Sequence, residues 1–256
     1  MQKWTDAYND LKDIYIKEFL SRWDAGVKAA SGINNYLTSM NLKPAKIIDM
    51  PAGIGRISIP LSKYGFEVMG IDSSEHFIKY ANSIKEKDSC KCNFIVSDMF
   101  SSFDIINKFR PNVIINWWTS IGYMTEEDDL TLLKRLYDSV DPGTILLLET
   151  WHRHFILSNP IRRWWYPIED MVVLVENSVN PLRREVTSVH TYYSGKIDEK
   201  LKFMSKFTSE IILYDAFELK TLIERAGWSI LDTFNSIETQ TNFNPKEDRI
   251  VFVARK

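Results

Sequence analysis

Apolar positions along the chain recur in two rhythms, and the change from one to the other predicts the order of elements. From Ala7 to Phe19 and from Gly26 to Met40 they return every three or four residues, which predicts two amphipathic helices ahead of any strand. Short bare runs follow: "KIIDM" (46–50), "FEVMGID" (66–72), "NFIVSDM" (93–99), "NVIINWW" (112–118) and "TILLLET" (144–150). Helix signals separate them at 56–64, after Ser73 and Ser74, whose hydroxyls suit a helix start, and at 126–139. Strands without polar alternation, joined by helices, belong to a parallel sheet covered on both faces.

After Thr150 the rhythm changes. "MVVLVE", "REVTSVHTYY" and "KLKFMSKFTSEIIL" alternate and are rich in β-branched residues, which predicts antiparallel strands. A helix over 215–226 and the strands "WSILDTF" and "RIVFVAR" complete the pattern. The expected fold is α/β. Residues 1–150 would give a helical cap and the first part of a seven-stranded, mostly parallel sheet with helices on both faces. Residues 151–213 would form an inserted antiparallel lid, and residues 214–256 would return to the sheet.

Composition narrows the function. With 256 residues, 45% hydrophobic and 26% charged, the chain can bury a full core. A formal net charge of -2 gives no extended basic field, so nucleic acid is not an expected partner, although the pairs Arg162-Arg163 and Arg183-Arg184 could contact an anion. No apolar run approaches the roughly 18 to 20 residues of a membrane span, and the start lacks a leader pattern, so neither membrane nor export is expected. Two cysteines, Cys90 and Cys92, are too few for a disulfide framework or a zinc site. A reduced, cytoplasmic setting is expected, with no metal.

The chemistry concentrates in "MPAGIGR", the loop after the first strand. In an open parallel sheet, ligands bind beyond the carboxyl ends of the strands, where the winding reverses. Gly53 and Gly55 would let the backbone turn and approach a ligand, and Pro51 permits the turn. Asp49, Asp72 and Asp98 stand at the predicted ends of three successive strands. Gathered on one edge, they suit a guest with several donors: a ribose on Asp72, a purine amine by Asp98, an ammonium by Asp49. A dinucleotide is the rival guest, since "GIGRIS" approaches Gly-x-Gly-x-x-Gly. Ser58 replaces the third glycine, however, and Asp49 would repel a pyrophosphate.

These residues resemble the first motif of class I S-adenosylmethionine-dependent methyltransferases, with their Rossmann-like fold. "DMPAGIGR" is similar to Asp-x-Pro-Cys-Gly-x-Gly-Arg of a small-molecule branch, with Ala52 in place of Cys. "GIDSS", "SDMF", "NWWTSIGYMTEEDD", "VDPGTILLLET" and "LYDAFELKTLIERAGW" continue the likeness. The resemblance implies cofactor contacts from Asp49, Pro51, Ala52, Gly53, Gly55, Asp72, Ser73, Phe77, Asp98, Met99, Asn116 and Trp117, with S-adenosylhomocysteine as product. It implies methyl transfer to N or O of a small molecule. Such transfer needs mainly alignment and exclusion of water, so a base is optional. Tyr123 and His152 are the candidate catalytic groups, with His190 behind them, and Trp118, Trp151, His154 and Tyr193 the candidate acceptor pocket. Tyr8 and Arg22 of the cap are candidates to close over the cofactor. A catalytically silent cofactor-binding subunit is the alternative, and an NAD(P)-dependent oxidoreductase a weaker one.

Overall fold

The computed structural model describes residues 4–88, 90–158, 162–198 and 200–256. The two leading helices are α1 (Trp4–Ser21) and α2 (Trp23–Ser39). The bare apolar runs then become β1 (Lys46–Asp49), β2 (Glu67–Asp72), β3 (Cys92–Val96), β4 (Val113–Asn116) and β5 (Ile145–Trp151). Between them lie α3 (Ser58–Lys63), α4 (Glu75–Asp88), α5 (Phe103–Phe109) and α6 (Glu126–Asp138), with a short α7 (Arg153–Ser158) after β5. Thr125 caps α6: its hydroxyl accepts from Asp128 N–H while the Asp128 carboxylate accepts from Thr125 N–H.

Period-two alternation within each central strand divides the core into two layers. Ile47, Val113, Ile115, Ile145 and Leu147 pack on one face with Ile33 and Leu37 of α2. Ile48, Ile114, Leu146 and Leu148 pack on the other with Leu132, Leu133 and Leu136 of α6. Both faces are covered, which is why the strands carry no polar alternation.

The lid consists of β6 (Arg163–Ile168), β7 (Met171–Asn180), β8 (Glu185–Ser194) and β9 (Lys202–Ile212), paired antiparallel in that order. After it come α8 (Ala216–Arg225), β10 (Ser229–Ser236), β11 (Thr241–Asn242) and β12 (Arg249–Arg255). The main sheet runs β11-β10-β12-β5-β4-β1-β2-β3, parallel from β5 to β3 and antiparallel at β12 and beyond. Its winding reverses between β1 and β4, so the loop after β1 opens at the switch point.

Four expectations need correction. The main sheet has eight strands, not seven, because Thr241 and Asn242 pair along β10. The lid gains β6 from the aromatic stretch "RWWYPI", whose pattern does not alternate cleanly. β3 ends at Val96, so Asp98 lies two residues beyond the strand and caps a short helical turn at Met99–Ser101. Cys90 and Cys92, expected as reduced thiols, are paired in a disulfide. No helix among the described residues is long and apolar enough to cross a membrane.

A third apolar cluster fixes the lid over the sheet edge. Leu11, Tyr15 and Ile16 of α1 pack with Met171, Val173, Val175, Tyr192 and Phe207 of the lid, and with Ile54 and Phe77 beside the loop after β1. The cap helix is therefore the wedge between lid and sheet, and a cavity remains beneath it.

Candidate functional site

Three strand ends supply the floor. Asp49, Asp72 and Asn116 are the last residues of β1, β2 and β4. All three are buried. The Asp72 carboxylate accepts from Gly53 N–H at 2.8 Å and from Ser74 N–H at 2.9 Å, one bond on each oxygen. Asp49 accepts from the Ser58 hydroxyl at 2.6 Å. A carboxylate has about four acceptor positions, so both acids keep capacity for a guest.

Gly53 and Gly55 have φ of +54° and +82°. A side chain at Gly55 would also strike the Phe94 ring, 2.7 Å from an ideal Cβ. Gly53 has room, and its left-handed turn aims its N–H at Asp72.

Burial pushes the Asp49 carboxyl up to about 7, against the Ser58 hydrogen bond, with the Asp72 charge adding to the rise and Arg56 opposing it. Burial likewise raises Asp72 to about 6, against the N–H groups of Ser74 and Gly53. Asn116 Nδ2 donates to Met50 O at 2.9 Å, and its Oδ1 is buried with no partner. An orphaned buried acceptor beside two half-used carboxylates suits a donor-rich, cationic guest.

The cavity above this floor has a volume of about 690 Å³, within the range of roughly 300 to 1,000 Å³ usual for small-molecule sites. Of the expected cofactor residues, Asp49, Pro51, Ala52, Gly53, Asp72, Ser73, Phe77, Asp98, Met99 and Trp117 line it. Gly55 and Asn116 stand behind that lining, one turning the loop and the other holding Met50 O. Asp98 also caps the turn after β3, its Oδ1 accepting from Phe100 N–H at 2.7 Å. Tyr123 and Trp118 line the cavity as well.

The remaining candidates lie elsewhere. His152 is buried at the far end of β5, where its N–H donates to Asp248 O and its ring meets Phe243. His154 is exposed on α7, and Trp151 lies under the Arg249 guanidinium. Tyr193 follows Tyr192 on β8, so the pleat turns it to the opposite face, into an outer groove with Trp165 and Leu201. His190 is half-buried on β8 and stacked on Tyr192.

Sequence reasoning missed Phe19, Arg56, Thr208 and Glu210, all of which line the cavity. The Arg56 guanidinium lies 3.8 Å from the Trp118 ring centroid and 4.7 Å from that of Phe19. Arg56 ends the glycine loop, and that adjacency was the available signal. Thr208 and Glu210 come from the lid, with none. One arginine of each pair is engaged with acids: Arg163 with Glu176, and Arg184 with Glu126 and Glu218.

Residues 47–143 match the methyltransferase domain family. The chain carries a methyltransferase domain. A candidate methyltransferase of Geobacillus sp. (strain WCH70) is 24% identical over 223 residues, 82% of this chain and 84% of its own. A crystal structure of an S-adenosylmethionine-dependent methyltransferase from Clostridium acetobutylicum ATCC 824 superposes with a TM-score of 0.76 at 15% identity, covering 97% of this chain and 98% of that one. The sugar N-methyltransferase KedS8 from Streptoalloteichus sp ATCC 53650 superposes with a TM-score of 0.68 at 14% identity, covering 94% and 93%. At these identities the two structures establish the shared fold. The acceptors of the floor suit S-adenosylmethionine, whose ammonium can donate to Asp49 and Asn116 Oδ1 and whose ribose hydroxyls can donate to Asp72, with apolar contacts at Phe77 and Met99 for a flat base.

Proposed function

We propose that the enzyme methylates a nitrogen of a small, amine-bearing molecule, with oxygen as the second choice of acceptor atom. The observation that carries the reading is the cavity itself. Acids occupy its floor beyond β1 and β2, while Trp117, Trp118, Tyr123 and Glu210 line the rest of it. S-adenosylmethionine supplies a methyl group on a positively charged sulfur. Asp72 holds the ribose, Asp49 and Asn116 hold the ammonium, and Asp98 and Met99 border the base between them with Phe77. Phe19 and the lid residues Thr208 and Glu210 exclude water from above.

Nitrogen is favoured because a neutral amine needs orientation rather than a strong base, whereas an alcohol calls for one. No histidine lines the cavity among the described residues. Glu210 and the aromatic rings suit an acceptor that carries positive charge when protonated. The likeness to the sugar N-methyltransferase KedS8 supports the same choice. Tyr123 is the lining hydroxyl best suited to orient the acceptor.

The test is release of S-adenosylhomocysteine with a panel of amino sugars and other small amines, each matched with its hydroxyl counterpart. Turnover with amines alone is the expected result. Turnover with hydroxyl compounds alone would overturn the nitrogen assignment. Binding of S-adenosylhomocysteine with no turnover on any acceptor would favour a silent, cofactor-binding subunit.

A further inference from the structure

Trp118 reaches the cavity from an unusual backbone. Trp118 and Thr119 have φ of 56° and 61°, two consecutive left-handed residues without a glycine or asparagine between them. Such residues persist where the surroundings over-determine them. Here the surroundings are largely one residue, Glu149 of β5. Its Oε2 accepts from Trp118 N–H at 2.7 Å, and its backbone oxygen accepts from Thr119 N–H at 3.2 Å. Both N–H groups of the left-handed turn are thereby taken up.

Glu149 is itself clamped. Its Oε1 lies 2.8 Å from Arg249 Nη1 on the adjacent strand β12, and the side chain is almost wholly buried. The same Arg249 nitrogen donates to Thr119 Oγ1 at 3.2 Å, and Trp151 N–H donates to that oxygen at 3.2 Å. The turn therefore cannot relax without breaking bonds to two strands. Its product is the placement of the Trp118 indole against Arg56, and Arg56 in turn faces Phe19 of the cap.

We propose that Glu149 is a positioning residue for methyl transfer: held by Arg249, it fixes the Trp118–Thr119 turn and so sets the Trp118 wall of the cavity. Glu149 does not itself line the cavity and acts through Trp118. The proposal rests on the reading of that cavity as the methyl-transfer site.

The test labels the full-length enzyme with 5-fluorotryptophan and assigns Trp118 in the fluorine spectrum with Trp118→Phe. In Glu149→Gln the Trp118 resonance is expected to move or split, with Trp151 on Arg249 free to respond, while Trp165, remote from the turn on the outer face of the lid, keeps its own. Affinity for S-adenosylhomocysteine is expected to fall about tenfold, or about 1.4 kcal/mol, because a displaced Trp118 uncovers one wall of the cavity that the ligand fills. Adding Thr119→Asn, which tolerates the left-handed backbone, is expected to recover part of both changes.

An unmoved Trp118 resonance, or a moved one with unchanged affinity, would overturn the proposal. Should Glu149→Gln lose every sharp resonance through unfolding, Arg249→Lys is judged by the same two criteria. If the wild-type enzyme binds no S-adenosylhomocysteine, the site reading fails by itself, and the fluorine spectra still decide whether Glu149 holds the turn.

Discussion

Asp72 and Glu18 are both acids with little exposure, 7% and 2%, one on the cavity floor and the other between α1 and the lid, yet their surroundings use them differently. Among the described residues Asp72 has two backbone N–H partners, and burial holds its carboxyl above the ordinary range. Glu18 on α1 accepts from Tyr166 at 2.6 Å, Tyr192 at 2.8 Å and Arg22 at 3.0 Å. Burial pushes Glu18 up as well, but the Arg22 charge, aided by His190 and the two tyrosine hydroxyls, brings it below the usual range. One acid keeps acceptor capacity; the other has spent most of it within the fold. The difference separates a binding group from a structural latch more sharply than burial alone does.

The largest expected effect comes from the latch. Glu18→Ala takes the shared carboxylate from Tyr166, Tyr192 and Arg22 and unties cap from lid. Loss of the buried carboxylate, which accepts from two tyrosine hydroxyls and from a half-exposed Arg22, should cost about 3 kcal/mol in denaturant unfolding. Affinity for S-adenosylhomocysteine, measured where the variant is still folded, should change by less than about threefold. A stable Glu18→Ala protein that no longer binds would reverse the comparison.

Asp72→Ala should do the opposite. Two hydrogen bonds to a charged acceptor are worth about 1.5 to 3 kcal/mol each, so calorimetry should show a loss of about 100-fold or more in S-adenosylhomocysteine affinity. Thermal stability without ligand should fall less than in Glu18→Ala, because removing the acid also removes its desolvation cost, which offsets the loss of the acceptor for the Gly53 and Ser74 N–H groups.

Titration sharpens the contrast. Asp49 and Asp72 are raised to about 7 and about 6, so from pH 4 to 7 the folded protein holds protons that the unfolded chain has released. Their contribution to stability therefore falls as pH rises through that window and is least above it. Ligand affinity runs the other way, since the donors of the cofactor favour ionised carboxylates. From pH 7.5 down to pH 5, affinity for S-adenosylhomocysteine should weaken by about tenfold or more, with proton release on binding near pH 6. Glu18, being lowered, supports the fold above its unfolded value and loses that support only as pH falls through its folded one. Asp72→Asn should flatten the slope of affinity near pH 6, and Glu18→Gln should leave it in place.

Legibility in the sequence divides along the same line. Bare apolar runs ending in Asp49 and Asp72 announce a parallel sheet with acids at its carboxyl edge, because strand, loop and acid are neighbours in the chain. Ser58, read only as a missing glycine, turns out to donate its hydroxyl to Asp49. The latch was invisible: Glu18 finds Tyr166 and Tyr192 across 148 and 174 residues, and no local periodicity encodes such pairing. The Trp118–Thr119 turn was equally hidden, since its left-handed backbone is imposed by Glu149 and Arg249 rather than by a turn residue. His152 follows the end of β5, but its N–H pairs with Asp248 O beside β12 and it does not line the cavity.

The smallest expected effect lies in a second link between the same two elements. Lys17, adjacent to Glu18 in α1, reaches Asp170 in the β6–β7 turn at 2.7 Å, a shorter contact than the Arg22–Glu18 pair. Distance alone would rank it as the stronger tie. Both side chains are exposed, however, so water already solvates each charge, salt screens the pair, and two flexible side chains must be ordered to make it. Lys17→Ala should leave thermal stability within measurement error of wild type at 0.15 M salt, with any difference shrinking further at 1 M. A drop as large as that of Glu18→Ala would mean that cap and lid are joined by surface charge rather than by the buried carboxylate.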